Sequence, residues 1–135
     1  MTKSFLTPIL ALLIVVIALS NGIAIHWHLY HYIWWLDMPM HVVSGMWAAL
    51  MGLTLYYCGA RPVLKTRSTE FVIAFALALV FVVGLAWEVY EFAVGHVVAN
   101  TVDGLRDTLS DLCDDFIGGL LGAGIFLIKR YNKDI

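Results

Sequence analysis

Charge is what this sequence has least of. Charged side chains make up 13% of its 135 residues and hydrophobic ones 61%, where a soluble domain carries roughly 25% charged residues. Mean hydropathy is +0.86. So little charge argues against a water-soluble globule and for a chain solvated by lipid. Lysine and arginine form no run, and the aromatics alternate with histidine rather than with basic residues, so no nucleic-acid footprint is present. Two cysteines, Cys58 and Cys113, are too few for a disulfide framework. The topology below sets them at opposite membrane faces, and each reads as a small apolar residue. The sequence has no serine nucleophile elbow, CxxC pair, HExxH motif or glycine-rich phosphate loop. An enzyme built on it would use water activated by a metal or by a carboxylate base.

What is present is a series of long apolar runs. A spanning helix needs about 20 mostly apolar residues, and four candidates cover roughly 5–25, 37–58, 69–98 and 109–128. The expected fold is all-α, an integral membrane bundle of four transmembrane helices forming a single domain over 1–135. Ser68 and Thr69 are candidate N-caps for the third helix, and the fourth starts somewhere between Asp107 and Asp111. Odd and even helix ends divide the eight basic residues seven to one. Lys3, Arg61, Lys65, Arg67, Lys129, Arg130 and Lys133 share one side, with Arg106 alone on the other. Both termini are therefore expected to be cytoplasmic. The outer connection, 26–35, reads HWHLYHYIWW, and its rings suit a membrane–water interface. The N-terminus has a second reading: Lys3, the apolar stretch 5–19 and Ala18-Leu19-Ser20 resemble a cleavable signal peptide. Cleavage would leave three spans and the same acidic residues.

Seven of the ten acidic residues lie at or beside the outer ends of helices two, three and four: Asp37, Glu88, Glu91, Asp107, Asp111, Asp114 and Asp115. At about 1.5 Å per residue, Glu88 is roughly 27 Å along the third helix from Glu70, and His41 about 6 Å below Asp37. Three helices thus bring polar groups to one depth. Asp37 and His41 are four residues apart and share a face, as do Glu88 and Glu91 at a spacing of three. Asp107, Asp111, Asp114 and Asp115 form one helical stripe. Gly118 and Gly122 extend it inward, and Ser44, Ala48 and Gly52 offer a similar track of small residues on helix two. The acidic faces should look into the bundle.

An ionisable group at the membrane centre costs about 2.5–3.5 kcal/mol on insertion scales, and neighbouring carboxylates add repulsion. Either some carboxyls hold protons, or a cation completes the site. Oxygen-rich donors with one imidazole suit a divalent metal ion such as Mg, Mn, Ca, Fe or Zn. The candidate ligands are Asp37, His41, Glu88, Glu91, Asp107, Asp111, Asp114 and Asp115, with Glu88 and Glu91 as candidate catalytic proton carriers. Asp103 reads as a solvated residue ahead of a helix, and Asp107 equally as a helix-start residue or a site member. His26, His28, His31 and His96 read as interfacial or rim residues.

The order Asp37-x3-His41, Glu88-x2-Glu91, then Asp107-Thr108-x2-Asp111-Leu112-x-Asp114-Asp115-x2-Gly118-Gly119 resembles the YjdF-like family of bacterial inner-membrane proteins and, more distantly, the VanZ-like family. The likeness covers most of the chain from Asp37 to Gly124. It implies four or more helices, a polar pocket at one membrane face and a multi-pass place in the bacterial inner membrane. The VanZ-like likeness implies a link to the cell envelope or to a glycopeptide-antibiotic response. Glu91 and Asp115 depart from that pattern, which has glutamine and asparagine there, so the site is more acidic.

The expectation is a divalent-cation site near the outer face that acts on a small polar substrate or a lipid head group. The alternatives are an ion- or proton-coupled transport component, and a non-catalytic accessory subunit that docks on a protein partner or a second copy of itself. Nearly apolar inner helix halves argue against a full conduit.

Overall fold

A computed structural model describes residues 3–59, 68–94 and 104–129. Every regular element among them is a helix: α1 (Lys3–His26), α2 (Leu29–Tyr32), α3 (Asp37–Gly59), α4 (Thr69–Val94) and α5 (Leu105–Ile128). Three are long and apolar enough to cross a membrane, over Leu6–His26, Asp37–Tyr57 and Thr69–Ala93. The fourth long helix, α5, has 24 residues, about 36 Å of length, and packs between α3 and α4. Its acidic turns lower its hydropathy, but burial inside the bundle shields them from lipid.

Local signals set the helix ends. Ser68 Oγ accepts the backbone N–H of Phe71 at 3.2 Å, capping α4. α5 starts at Leu105, one turn ahead of the expected 109, because Gly104 adopts an extended conformation (φ −77°, ψ 152°) and its carbonyl accepts from Asp107 and Thr108. Asp107 therefore lies in the first turn, where negative charge suits the helix dipole. The outer connection holds the short α2, separated from α1 by His28 in the left-handed region (φ 54°). Around it Trp27, Tyr32, Trp34 and Trp35 are exposed, as rings at a membrane interface are. The expected last turn of the third span (95–98), His96, Asp103, Arg61, Lys65, Arg67, Arg130 and Lys133 lie outside the described residues, as do the side chains of Lys3 and Cys58. Cys113 is a free, exposed thiol.

The packing follows seams. On α4, Val72, Ala76, Val80, Gly84 and Glu88 are buried at every fourth position. α5 buries Asp111, Asp115, Gly118, Gly122 and Phe126 along one face. With lipid tails as apolar as leucine, close approach rather than hydrophobicity holds such helices together. A Cβ at Gly118 would collide with the Val42 carbonyl, and one at Gly45 with the Asp115 carbonyl. The α3–α5 contact thus runs through Gly45, one residue away from the expected Ser44-Ala48-Gly52 track. The reason is that α3 has three busy faces: Ser44 and Ala48 border a cavity toward α1, and Gly52 faces Leu79 of α4. Far from the acidic end the bundle is filled by Leu53, Tyr57, Val72, Ala76 and Phe126. α1 lies to one side, packed on α3 and α2, and the Trp47 indole N–H donates to its Leu10 carbonyl at 2.7 Å.

Candidate metal centre

The seams end in a polar cluster around His41. One turn into α3 and only 5% exposed, His41 meets three aspartates from two helices. Its Nδ1 lies 3.3 Å from Asp115 Oδ1, and its Nε2 lies 3.6 Å from Asp37 Oδ1 and 3.9 Å from Asp111 Oδ2. An ionised carboxylate only accepts hydrogen bonds, so with Asp115 in that form the short contact is an Nδ1–H donated to it. That leaves Nε2 turned toward Asp37 and Asp111. Gly84 creates the room: a Cβ there would strike Asp115 Oδ2, so the missing side chain on α4 lets the Asp115 carboxylate lie against that helix.

Ligand atoms come together in two groups that share His41: Asp37, His41 and Asp111, and His41, Glu88 and Glu91. Within each group the atoms lie within 4.8 Å of one another. Glu88, 8% exposed, has its Oε1 buried without a hydrogen-bond partner, while its carboxyl also meets the Thr108 side chain. Glu91 takes a hydrogen bond from Trp87, one turn back on α4. Carboxylates with one imidazole are a donor set that fits a hard or borderline divalent cation. A buried, unsatisfied carboxylate oxygen costs free energy unless something positive meets it.

Three of the eight candidate ligands stand apart from these groups: Asp115, which meets His41 at its other ring nitrogen, Asp107 and Asp114. Asp107 is exposed in the first turn of α5, a full turn beyond Asp111. Asp114 is buried and its Oδ2 has no hydrogen-bond partner, but neither group includes it. Successive α5 positions differ by about 100° around the axis, so Asp115 turned toward His41 leaves Asp114 on another side. His26, His28 and His31 are exposed and also belong to neither group.

Several contributors gave little sequence signal. Tyr30, on α2, donates its hydroxyl to Asn21 Oδ1 of α1 at 2.6 Å. Burial first, then the nearby Asp37 and Glu91 charges, push the Tyr30 phenol up to about 12. Asn21 and Tyr30 also line a cavity of about 630 Å³ between α1, α3 and α4, onto which Asp37, His41, Glu91 and Asp115 open. An isolated tyrosine in an interfacial run looks like every other ring there, and Gly84 had no polar neighbour in sequence to mark it.

The chain matches, over residues 2–132, a family described as "Predicted membrane protein (DUF2238)". Neither a curated protein nor a solved structure matches it.

Proposed function

This chain belongs to the DUF2238 family of predicted membrane proteins, and from that premise we propose that it is a divalent-cation-dependent membrane protein acting on a polar or lipid head group at the outer membrane face. The observation that carries the reading is the convergence of α3, α4 and α5 on His41, with the buried Glu88 Oε1 lacking any hydrogen-bond partner. Asp37, His41, Glu88, Glu91 and Asp111 are the ligands in this reading. Asp115 is a positioning residue: a ring N–H held by a carboxylate fixes the imidazole tautomer and orientation, as metal-ligating histidines usually require. A bound ion would supply Lewis acidity to a substrate oxygen. Glu88 or Glu91 would take and return a water proton, and closure of the site by apolar helix would limit access of bulk water.

The seven-to-one division of basic residues supports cytoplasmic termini and an outward-facing site in the inner membrane. The YjdF-like resemblance lends the polar pocket; the VanZ-like one lends no role here. Beneath His41 the core is Ala49, Leu53, Val72, Ala76 and Phe126, which favours a site over a conduit. Metal analysis of purified protein tests the reading. Near-stoichiometric divalent metal is expected in the native chain and strong depletion in Glu88→Gln and Asp37→Asn. Negligible metal in all three after supplementation would remove it.

A further inference from the structure

The cavity beside the cluster has the shape and polarity of half a lipid. On α3 its lining runs from Asp37 and His41 at the polar end to Ala48, eleven residues or about 16 Å along the helix axis. A bilayer's hydrocarbon core is about 30 Å thick, so this depth is that of one leaflet. The deeper walls are apolar, from Ile14, Ile17 and Ala18 on α1 to Val80, Val83 and Ala86 on α4. Trp47 closes the deep end, held by its bond to Leu10. A volume of about 630 Å³ is within the range of about 300–1,000 Å³ typical of small-molecule pockets, room for one hydrocarbon chain rather than two. α1 leans on α3 and makes no comparable interface with α4, and Ala18 and Val83, on the two facing walls, are exposed. A chain can therefore enter sideways from the bilayer.

The polar end selects the head group. Asp37, Glu91 and Asp115 line it with His41, and no lysine or arginine does among the described residues. With Asp111 and Glu88 beside them, five acidic side chains gather here and His41 is the one basic side chain among the described residues of the cluster, so a purely anionic head would find no basic partner. A head with both a phosphate and an ammonium fits: a phosphate oxygen would take the position that five protein ligands leave open on a six-coordinate ion, and the ammonium would face the Asp115 side of the cluster, with the Tyr30 and Asn21 polar atoms nearby. We propose that this cavity binds a single chain of a zwitterionic phospholipid and presents its head group to the His41 cluster. The proposal rests on the cation reading above.

The full-length protein in detergent, loaded with Mn2+, is titrated with 1-palmitoyl-lysophosphatidylethanolamine and with the lysophosphatidylglycerol of the same chain, bound lipid being counted by native mass spectrometry. Expected is a preference of about tenfold or more for the ethanolamine lipid. Ala18→Trp and Val83→Trp, each filling the apolar part of the cavity, should each weaken that binding about tenfold or more while Mn2+ affinity stays unchanged. Equal binding of the two lipids overturns the head-group assignment. Undiminished lipid binding in both tryptophan variants, with Mn2+ affinity intact, overturns the cavity assignment and leaves the cation reading standing. Absence of Mn2+ binding in the unsubstituted chain removes the cation reading, and this proposal with it.

Discussion

Replacing Asp115 in two ways separates a residue that orients His41 from one that binds the ion. Asp115 Oδ1 is 3.3 Å from His41 Nδ1, on the opposite ring edge from the Asp37 and Asp111 contacts. In Asp115→Asn the amide oxygen can take the Oδ1 position and still accept the Nδ1–H, with the amide nitrogen in the niche beside Gly84. The loss is then that of charge in one hydrogen bond, and Mn2+ affinity should fall only about threefold. Asp115→Leu keeps the branched shape, with bulkier methyl groups, but no acceptor, so the ring loses its fixed tautomer. Removing such partners costs about 10–100-fold in metal affinity, or about 1.4–2.7 kcal/mol. Asp37→Asn and Asp111→Asn, which weaken ligands directly, should lose more than about 100-fold. Mn2+ titration of detergent-purified variants, followed by electron paramagnetic resonance, ranks the four, with circular dichroism confirming helix content. If Asp115→Asn falls as far as Asp37→Asn, Asp115 is a ligand and the orientation argument is wrong.

Gly118→Ala forces a methyl group against the Val42 carbonyl and the Met46 amide of α3. It should cost about 1–3 kcal/mol by thermal unfolding in detergent, whereas Gly124→Ala, with nothing near its Cβ, should be neutral or gain up to about 1 kcal/mol. His28→Gly relieves a left-handed backbone at φ 54° and should stabilise by about 1 kcal/mol; a clear loss would refute the strain argument. Tyr30 has its phenol raised from 10.0 to about 12, so the fold favours the neutral hydroxyl. Its contribution is complete below about pH 10 and is lost as pH climbs through about 12. Tyr30→Phe should remove one late-ionising tyrosine from the absorbance titration near 295 nm, and should cost about 0.5–1.5 kcal/mol through the bond to Asn21.

Composition and periodicity alone determined the helical class and the membrane setting, because spanning lipid demands long apolar segments that satisfy their own backbone hydrogen bonds. The gathering of Asp37, His41, Glu88, Glu91 and Asp111 was legible too: spacing sets which residues share a helix face, and depth along each span sets which faces meet. What one-dimensional spacing left open is rotation about each helix axis. Asp111 and Asp115 face His41 while Asp114 turns elsewhere, and Gly45 rather than Ser44 meets α5, because the close contacts at Gly45 and Gly118 fix how the two helices are turned. The side of the imidazole that each aspartate occupies, the niche opposite Gly84 and the cavity between α1 and α4 arise from the same source. Each depends on atoms from two or three helices at once, and only tertiary packing brings those atoms within a few ångströms of one another.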